Sequence, residues 1–170
     1  LLYNGILSSP GLDGSSYFYV NPLMLRNGKY VRLSTNPDEE HKTLGRPEWH
    51  SVACCPPNVM RLLASLSNYF VTSNETGIQI HQYSNMEIFF EHGKTTIETE
   101  YPWDGRVKIT VSEGSDQPWM LALRMPSWCQ RVDLKVNDQD ISGSLQNGYV
   151  TLERTWTTGD VLDANFAISP

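Results

Sequence analysis

Two adjacent cysteines, Cys54 and Cys55, precede Pro56, Pro57 and Asn58. Thiols are side chains suited to covalent attack and to soft-metal binding. Consecutive Cα atoms lie about 3.8 Å apart across a trans peptide, below the roughly 4.4 Å lower limit of ordinary disulfides, so a Cys54–Cys55 bridge is strained. A second reading is a reactive thiolate. Both sulfurs stand just ahead of a helix start, where the partial positive charge and unbonded N–H groups favour the anion. A third is zinc ligation, two thiolates sharing one ion with ligands from elsewhere. A fourth is inert burial, because cysteines are among the most buried residue types. No C-x-x-C pair accompanies them, and the spacing leaves these readings open.

The neighbours are weighed in the same way. His50 lies four residues before Cys54 and within reach of such a site, although one histidine beside a cysteine pair is equally a packed or solvent-facing ring. Trp49 offers a face on which a sugar could stack, with core packing as the alternative. Glu48, beside Pro47, reads as an exposed loop acid. Cys129 follows Trp128 in a β-type region and reads as a partly buried thiol. Among the other tryptophans, Trp119, Trp128 and Trp156 have apolar neighbours and read as core, whereas Trp103 in Pro102-Trp103-Asp104-Gly105 sits at a turn.

A helix must position the cysteine pair. Val59, Leu62, Leu63, Leu66 and Phe70 recur at helical spacing, with Arg61, Ser65 and Asn68 on the other face. Pro56 and Pro57 suit its first turn, where a missing N–H costs little. Either Cys55 or Asn58 serves as N-cap, and the helix should fade over residues 72–77. Upstream, Tyr17-Phe18-Tyr19-Val20-Asn21-Pro22 reads as a strand, and Asn27-Gly28 before Lys29-Tyr30-Val31-Arg32-Leu33 predicts a hairpin. Residues 34–46 are polar and charged, a solvated loop.

Beyond Gly77 the period becomes two. Strands are expected over residues 78–83, 86–91, 95–101, 107–111, 119–125, 132–136, 149–154 and 161–166. The turn signals between them include His92-Gly93, Asp104-Gly105, Asn137-Asp138, Asn147-Gly148 and Gly159-Asp160. Short strands with regular turns and no intervening helical pattern predict an antiparallel β-sandwich. Asn74-Glu75-Thr76 fits the glycosylation sequon, which matters only in a eukaryotic secreted context.

Composition limits the partners. The chain has 170 residues, 13 Lys+Arg against 19 Asp+Glu, and a formal net charge of −6. No basic cluster is available to neutralise phosphates, which argues against nucleic acid and anionic membranes. No apolar run approaches the roughly 20 residues that span a bilayer. Three cysteines, an odd count, do not make a disulfide scaffold. The chain opens on Leu1-Leu2-Tyr3-Asn4-Gly5 and stops in apolar sequence at Pro170. Both ends read as cuts through a longer protein, which leaves the compartment open.

The stretch from Trp49 through Cys54-Cys55-Pro56-Pro57-Asn58 to Leu66 resembles the double-cysteine motif of the β-L-arabinofuranosidases of glycoside hydrolase family 127. Tyr3-Asn4-Gly5-Ile6-Leu7, Gly11-Leu12-Asp13-Gly14 and Tyr17-Phe18-Tyr19-Val20-Asn21-Pro22-Leu23 are similar to the same family, in the same order. The resemblance covers residues 1 to about 70, and the β-rich remainder by its place in the domain order.

The resemblance implies an incomplete (α/α)6 barrel, ending in an irregular hairpin and the last helix over residues 1–72, followed by a β-sandwich over residues 73–170. The chain is then mainly β. It also implies a retaining glycosidase in which Cys54 is the nucleophile and Cys54 and Cys55 ligate zinc. Trp49 and His50, by their type and position beside the pair, are the candidate substrate contacts. That substrate would be an oligosaccharide or glycoprotein-derived β-linked arabinofuranoside. The family's further zinc ligands and acid/base glutamate lie upstream of Leu1, so residues 1–170 alone are expected to be inactive. Apolar surface at Leu1, Leu2, Leu62 and Leu66 predicts self-association. Two other readings stand beside this one: residues 78–170 as a non-catalytic sugar-binding or architectural module, and Cys54-Cys55 as a structural zinc or redox site.

Overall fold

The structure, a computed structural model, describes residues 5–18, 25–26, 29–30, 46, 48 and 54–168; of residues 25–26, 29–30 and 55 it describes the backbone. The chain forms two compact units, Leu1–Ser65 and Leu66–Pro170.

In the first unit, local hydrogen bonds shape residues 5–18. The Ser8 and Ser9 hydroxyls donate to the Gly5 carbonyl at 3.1 and 2.9 Å. Gly11 N–H donates to Ser16 O at 2.7 Å and Gly14 N–H to Gly11 O at 2.9 Å. Gly14 turns there at φ +72°, a left-handed conformation that favours glycine. Tyr17 makes one antiparallel bridge to Pro10, so the expected strand begins as a single bridge, and its residues 19–22 lie outside the described ones. Strands β1 (Leu25–Arg26) and β2 (Lys29–Tyr30) pair antiparallel around Asn27-Gly28, the expected hairpin.

Helix α1 spans Cys55–Ala64. It begins at Cys54 as N-cap rather than at Cys55 or Asn58, with Pro56 and Pro57 in its first turn. It also ends about two turns earlier than its apolar spacing predicts. Ser65 N–H is shared between the carbonyls of Arg61 and Leu62, and its hydroxyl donates to the same Arg61 oxygen at 2.9 Å. A serine that satisfies the last carbonyls in this way closes the helix.

The second unit opens with a 3-10 turn, Leu66–Tyr69, and then β3 (Val71–Asn74), β4 (Gly77–Ile80), β5 (Met86–Phe90), β6 (Gly93–Thr99) and β7 (Arg106–Glu113). There follow β8 (Pro118–Arg124), β9 (Val132–Val136), β10 (Gln139–Ile141), β11 (Ser144–Gln146), β12 (Tyr149–Thr155) and β13 (Val161–Phe166). One sheet runs β10-β9-β13-β7-β6-β5 and the other β11-β12-β8-β4-β3. The predicted strands are present, and β3, β10 and β11 are additional. The sandwich is antiparallel except for one pair. β4 runs parallel to β8, Ile78 opposite Leu121 and Ile80 opposite Leu123. Gly77 makes this approach possible, since at φ +145° an added Cβ would lie 2.0 Å from Met120 O.

Alternation builds the core. Val107, Ile109 and Val111 point inward from β7, Leu162, Ala164 and Phe166 from β13, and Leu121 and Leu123 from β8, in one buried cluster. Trp119 and Trp156 stack at 5.5 Å between ring centroids, and Trp156 Nε1–H donates to Trp119 O at 3.2 Å. Tyr83 packs on Phe166 at 4.9 Å and donates its hydroxyl to Arg124 O at 2.6 Å. Trp103 is exposed, as its turn position predicts, but Trp128 is exposed as well, against its core reading. Cys129 next to it is buried, its Sγ 3.0 Å from Arg131 O. Asn137 and Asp138, and then Asn147 and Gly148, all adopt positive φ. That is the turn type whose twist matches adjoining antiparallel strands.

Candidate active site

Cys54 sits at the N-terminus of α1 with its backbone at φ −85° and ψ −31°, and its side chain makes no capping hydrogen bond to the helix. The residue is exposed. Pro56 and Pro57 have no N–H to offer an anion, so the first turn presents fewer amide donors than an ordinary helix start. The helix dipole remains, and it favours negative charge at this end. The first turn carries no acidic residue to oppose a thiolate. Arg61, in the last turn, donates from Nη1 to Asn58 Oδ1 at 2.8 Å and tethers that side chain along the helix.

A zinc ion would find two adjacent soft donors here. Cys55 lies in the first turn with its backbone helical. By residue type alone the pair is of the kind that could supply two of the four ligands of a thiolate-rich site. Among the described residues, no three His, Cys, Asp or Glu groups converge to hold a metal. Trp49 and His50 lie outside the described residues, whereas Glu48 is exposed as expected. Of the helix residues expected to expose apolar surface, Leu62 and Leu66 are half-buried; Met60 and Leu63 are the exposed ones, while Leu1 and Leu2 lie outside the described residues.

One feature of this unit escapes a linear reading. Arg46 donates from Nε to Ser9 O at 3.0 Å and from Nη2 to Ser8 O at 2.8 Å, and its guanidinium lies 4.2 Å from the centre of the Phe18 ring. It clamps the Gly5–Phe18 segment from a position more than thirty residues later in the chain. A basic residue within a charged loop carries no signal of such a role. Asp13, in the same segment, accepts from the hydroxyl and N–H of Ser15, which hold its carboxyl below the usual range.

The second unit has its own polar clusters. The two ring nitrogens of His81 lie 2.7 Å from Tyr149 OH and 2.9 Å from Thr72 Oγ1, linking the start of β12 to β3. Burial, and then the charge of Arg124, lower its pKa. Asp160 accepts from Asn137 Nδ2 at 2.8 Å and from Thr157 N–H at 2.9 Å. Burial pushes its carboxyl up, but these hydrogen bonds and Arg154 outweigh that and hold it below the usual range.

No described helix is long and apolar enough to cross a membrane. Residues 1–68 match the family model described as "Beta-L-arabinofuranosidase, GH127 catalytic domain", and residues 77–168 match "Beta-L-arabinofuranosidase, GH127 middle domain". A curated non-reducing end β-L-arabinofuranosidase from Bifidobacterium longum subsp. longum is 35% identical over 169 residues, which is 95% of this chain and 25% of that protein. A solved structure titled as a glycoside hydrolase superposes with a TM-score of 0.83 at 32% identity, covering 99% of this chain and 28% of its own. A crystal structure of a family 127 β-L-arabinofuranosidase from Geobacillus stearothermophilus T6 gives 0.80 at 31% identity, covering 99% and 27%. The chain thus spans about a quarter of the length of these relatives. Matched along both its units, the chain belongs to glycoside hydrolase family 127, the β-L-arabinofuranosidase family.

Proposed function

We propose that this chain is part of a retaining glycoside hydrolase that releases β-linked L-arabinofuranose from an oligosaccharide or a glycoprotein-derived glycan, with Cys54 as nucleophile. Residues 1–72 supply the end of the catalytic barrel and residues 73–170 the sandwich that follows it. The observation that carries this reading is the exposed Cys54 at the head of α1, with no acid in the first turn. An exposed thiol of this kind can be reached by an incoming sugar, and a helix N-terminus is an environment that suits negative charge.

In the reaction, the Cys54 sulfur bonds to the anomeric carbon as the bond from that carbon to the leaving oxygen breaks. The departing oxygen takes a proton from a carboxylic acid outside these residues. Water then attacks the same carbon from the vacated side and expels the thiolate, so two inversions give net retention. Cys54 and Cys55 would hold a zinc ion together with further ligands; when bound, the metal would keep thiol ligands deprotonated near neutral pH. In this reading the acid is supplied from outside residues 1–170, and the 170-residue chain alone is expected to release no arabinose.

The test compares zinc content and arabinose release from a β-linked arabinofuranoside in residues 1–170 and in the protein at the length of its relatives. Stoichiometric zinc and activity in the longer protein only, with zinc weakened or lost in Cys54→Ser and in Cys55→Ser and activity removed by either at retained fold, is the expected result. Zinc in neither protein, with Cys54→Ser fully active, would overturn it.

A further inference from the structure

The outer face of the six-stranded sheet carries a groove of about 870 Å³ that the proposed reaction does not use. That volume falls within the roughly 300–1,000 Å³ of small-ligand clefts. Its floor is set by register. Lys135 on β9 stands opposite Asp163 on β13, Asp163 opposite Lys108 on β7, and Lys108 opposite Glu98 on β6; Asp140 on β10, beyond the groove's lining, continues the row opposite Lys135. Five adjacent strands therefore present one continuous row of alternating acid and base, at a strand spacing of about 4.8 Å. Of these neighbours, only Lys135 and Asp140 come within ion-pair distance, at 3.7 Å. Lys108 closes no ion pair with Glu98 or Asp163 among the described contacts, although both are its register partners.

The rim is fixed by separate contacts. Asn85 Oδ1 accepts from Thr99 N–H at 2.7 Å, and Asp104 accepts from Arg106 Nε at 2.9 Å. Between Glu100 and Asp104, which both line the groove, the tight turn carries Trp103 with 89% of its surface exposed. Trp103 N–H donates to Glu100 O at 2.9 Å, which holds the turn. A tryptophan left this open on a monomeric surface is uncommon, and its flat apolar face suits the C–H face of a sugar ring.

We infer that this groove binds a neutral oligosaccharide, with the Lys108 row contacting its hydroxyls and Trp103 stacking on a terminal ring. A hydroxyl both donates and accepts, so a polyhydroxylated chain laid across the row can give a proton to each carboxylate and accept one from each ammonium. The alternation leaves no single-sign field to recruit a polyanion or a cation, which makes an uncharged ligand the complementary one. The choice of an arabinose polymer as ligand rests on the function proposed above, whereas the groove and its preference for a neutral glycan do not.

The experiment titrates soluble arabinan, and separately neutral dextran, into the 170-residue chain and follows backbone amide NMR shifts, with polygalacturonate as a charged-polymer control. Saturable shifts clustered at Thr96, Glu98, Lys108 and Asp163 with a neutral glycan, absent with polygalacturonate, are expected. Trp103→Ala and, separately, Asp163→Asn should each weaken the response about tenfold. No saturable shift with either neutral glycan, an equal response to polygalacturonate, or binding untouched by both substitutions would overturn the inference. Arabinose release by the longer enzyme is a separate readout, so groove binding that persists where Cys54→Ser proves harmless would sink the catalytic reading and leave this one standing.

Discussion

The unit that carries Cys54 and the unit built on the sandwich organise their residues in different ways. Among the described residues of Leu1–Ser65 none is buried, and the bonds that shape them run over short spans, Gly5 to Ser9 and Gly11 to Ser16, apart from the clamp from Arg46. From Ile78 to Phe166, by contrast, twenty hydrophobic side chains form one buried cluster whose strands pair across long stretches of sequence. Under the proposed reading a nucleophile must reach its substrate, and an open surrounding allows that. A sandwich that closes its own core needs no such opening. Chemistry and stability should therefore respond to different substitutions.

The largest expected effect lies in the first unit. In the longer protein, Cys54→Ser should lower arabinose release by about a thousandfold or more, as removal of a nucleophile does elsewhere. Thermal unfolding of the sandwich should not move. A large loss of melting temperature in that variant would break the separation, because it would make Cys54 structural.

Next comes the core. Trp156 is fully buried, stacked on Trp119, and hydrogen-bonded through its indole N–H. Trp156→Ala should destabilise the second unit by about 3–5 kcal/mol, seen as a lower urea midpoint. The rate at which a thiol reagent labels Cys54 should be unchanged below that midpoint.

The same contrast explains what could be read from the sequence. Strands such as β7 and β13 were legible because one buried face writes a period of two into the chain, with every second residue buried along each strand. β3 and β11 were not, because they lie at the edge of the five-stranded sheet and bury almost nothing, so no alternation marks them. The parallel pairing of β4 with β8 depends on a crossover that no local pattern encodes. The prolines marked the first turn of α1 but not its N-cap, which is Cys54 rather than Cys55 or Asn58, and its end was not legible either. Leu66 and Phe70 continue the apolar spacing past Ser65, whose side chain takes the last carbonyls. At the candidate site, residue type alone identified the cysteine pair, and the spacing left four chemistries open. The charge row of the groove is invisible in a linear reading, since each strand contributes one member and only the register assembles them.

A medium effect falls on Asp160. It ties the turn after β12 to the one after β9 through Thr157 N–H and Asn137 Nδ2, and Arg154 stands 4.0 Å away. Asp160→Ala leaves those donors without their acceptor and should cost about 1–3 kcal/mol. The pH dependence has a definite sign. Its folded pKa is depressed, so the stability it contributes is present above the unfolded value of about 3.9 and lost as pH falls through the folded one. Asp160→Asn should flatten that acid limb in urea titrations, and an unchanged limb would assign the slope to other carboxylates.

The smallest effect belongs to His81. Its ring meets Tyr149 OH and Thr72 Oγ1, and Arg124 is the charged group that acts on it. Burial and that charge favour the neutral ring in the folded state. On acidification the unfolded chain takes up its proton first, near the ordinary value of about 6.5. Stability from this site is thus complete above that pH and declines as pH falls toward the lower folded value. The ring is only half-buried, so solvent screens the effect and the decline should be smaller than that produced by Asp160→Ala. His81→Gln should remove the dependence over that interval, as measured by urea midpoints at about pH 5 and pH 7. Labelling of Cys54 over the same interval should be the same in both proteins. If His81→Gln shifted the labelling profile, the two units would be coupled through this ring, and the division between an open chemical unit and a closed scaffold would fail at that point.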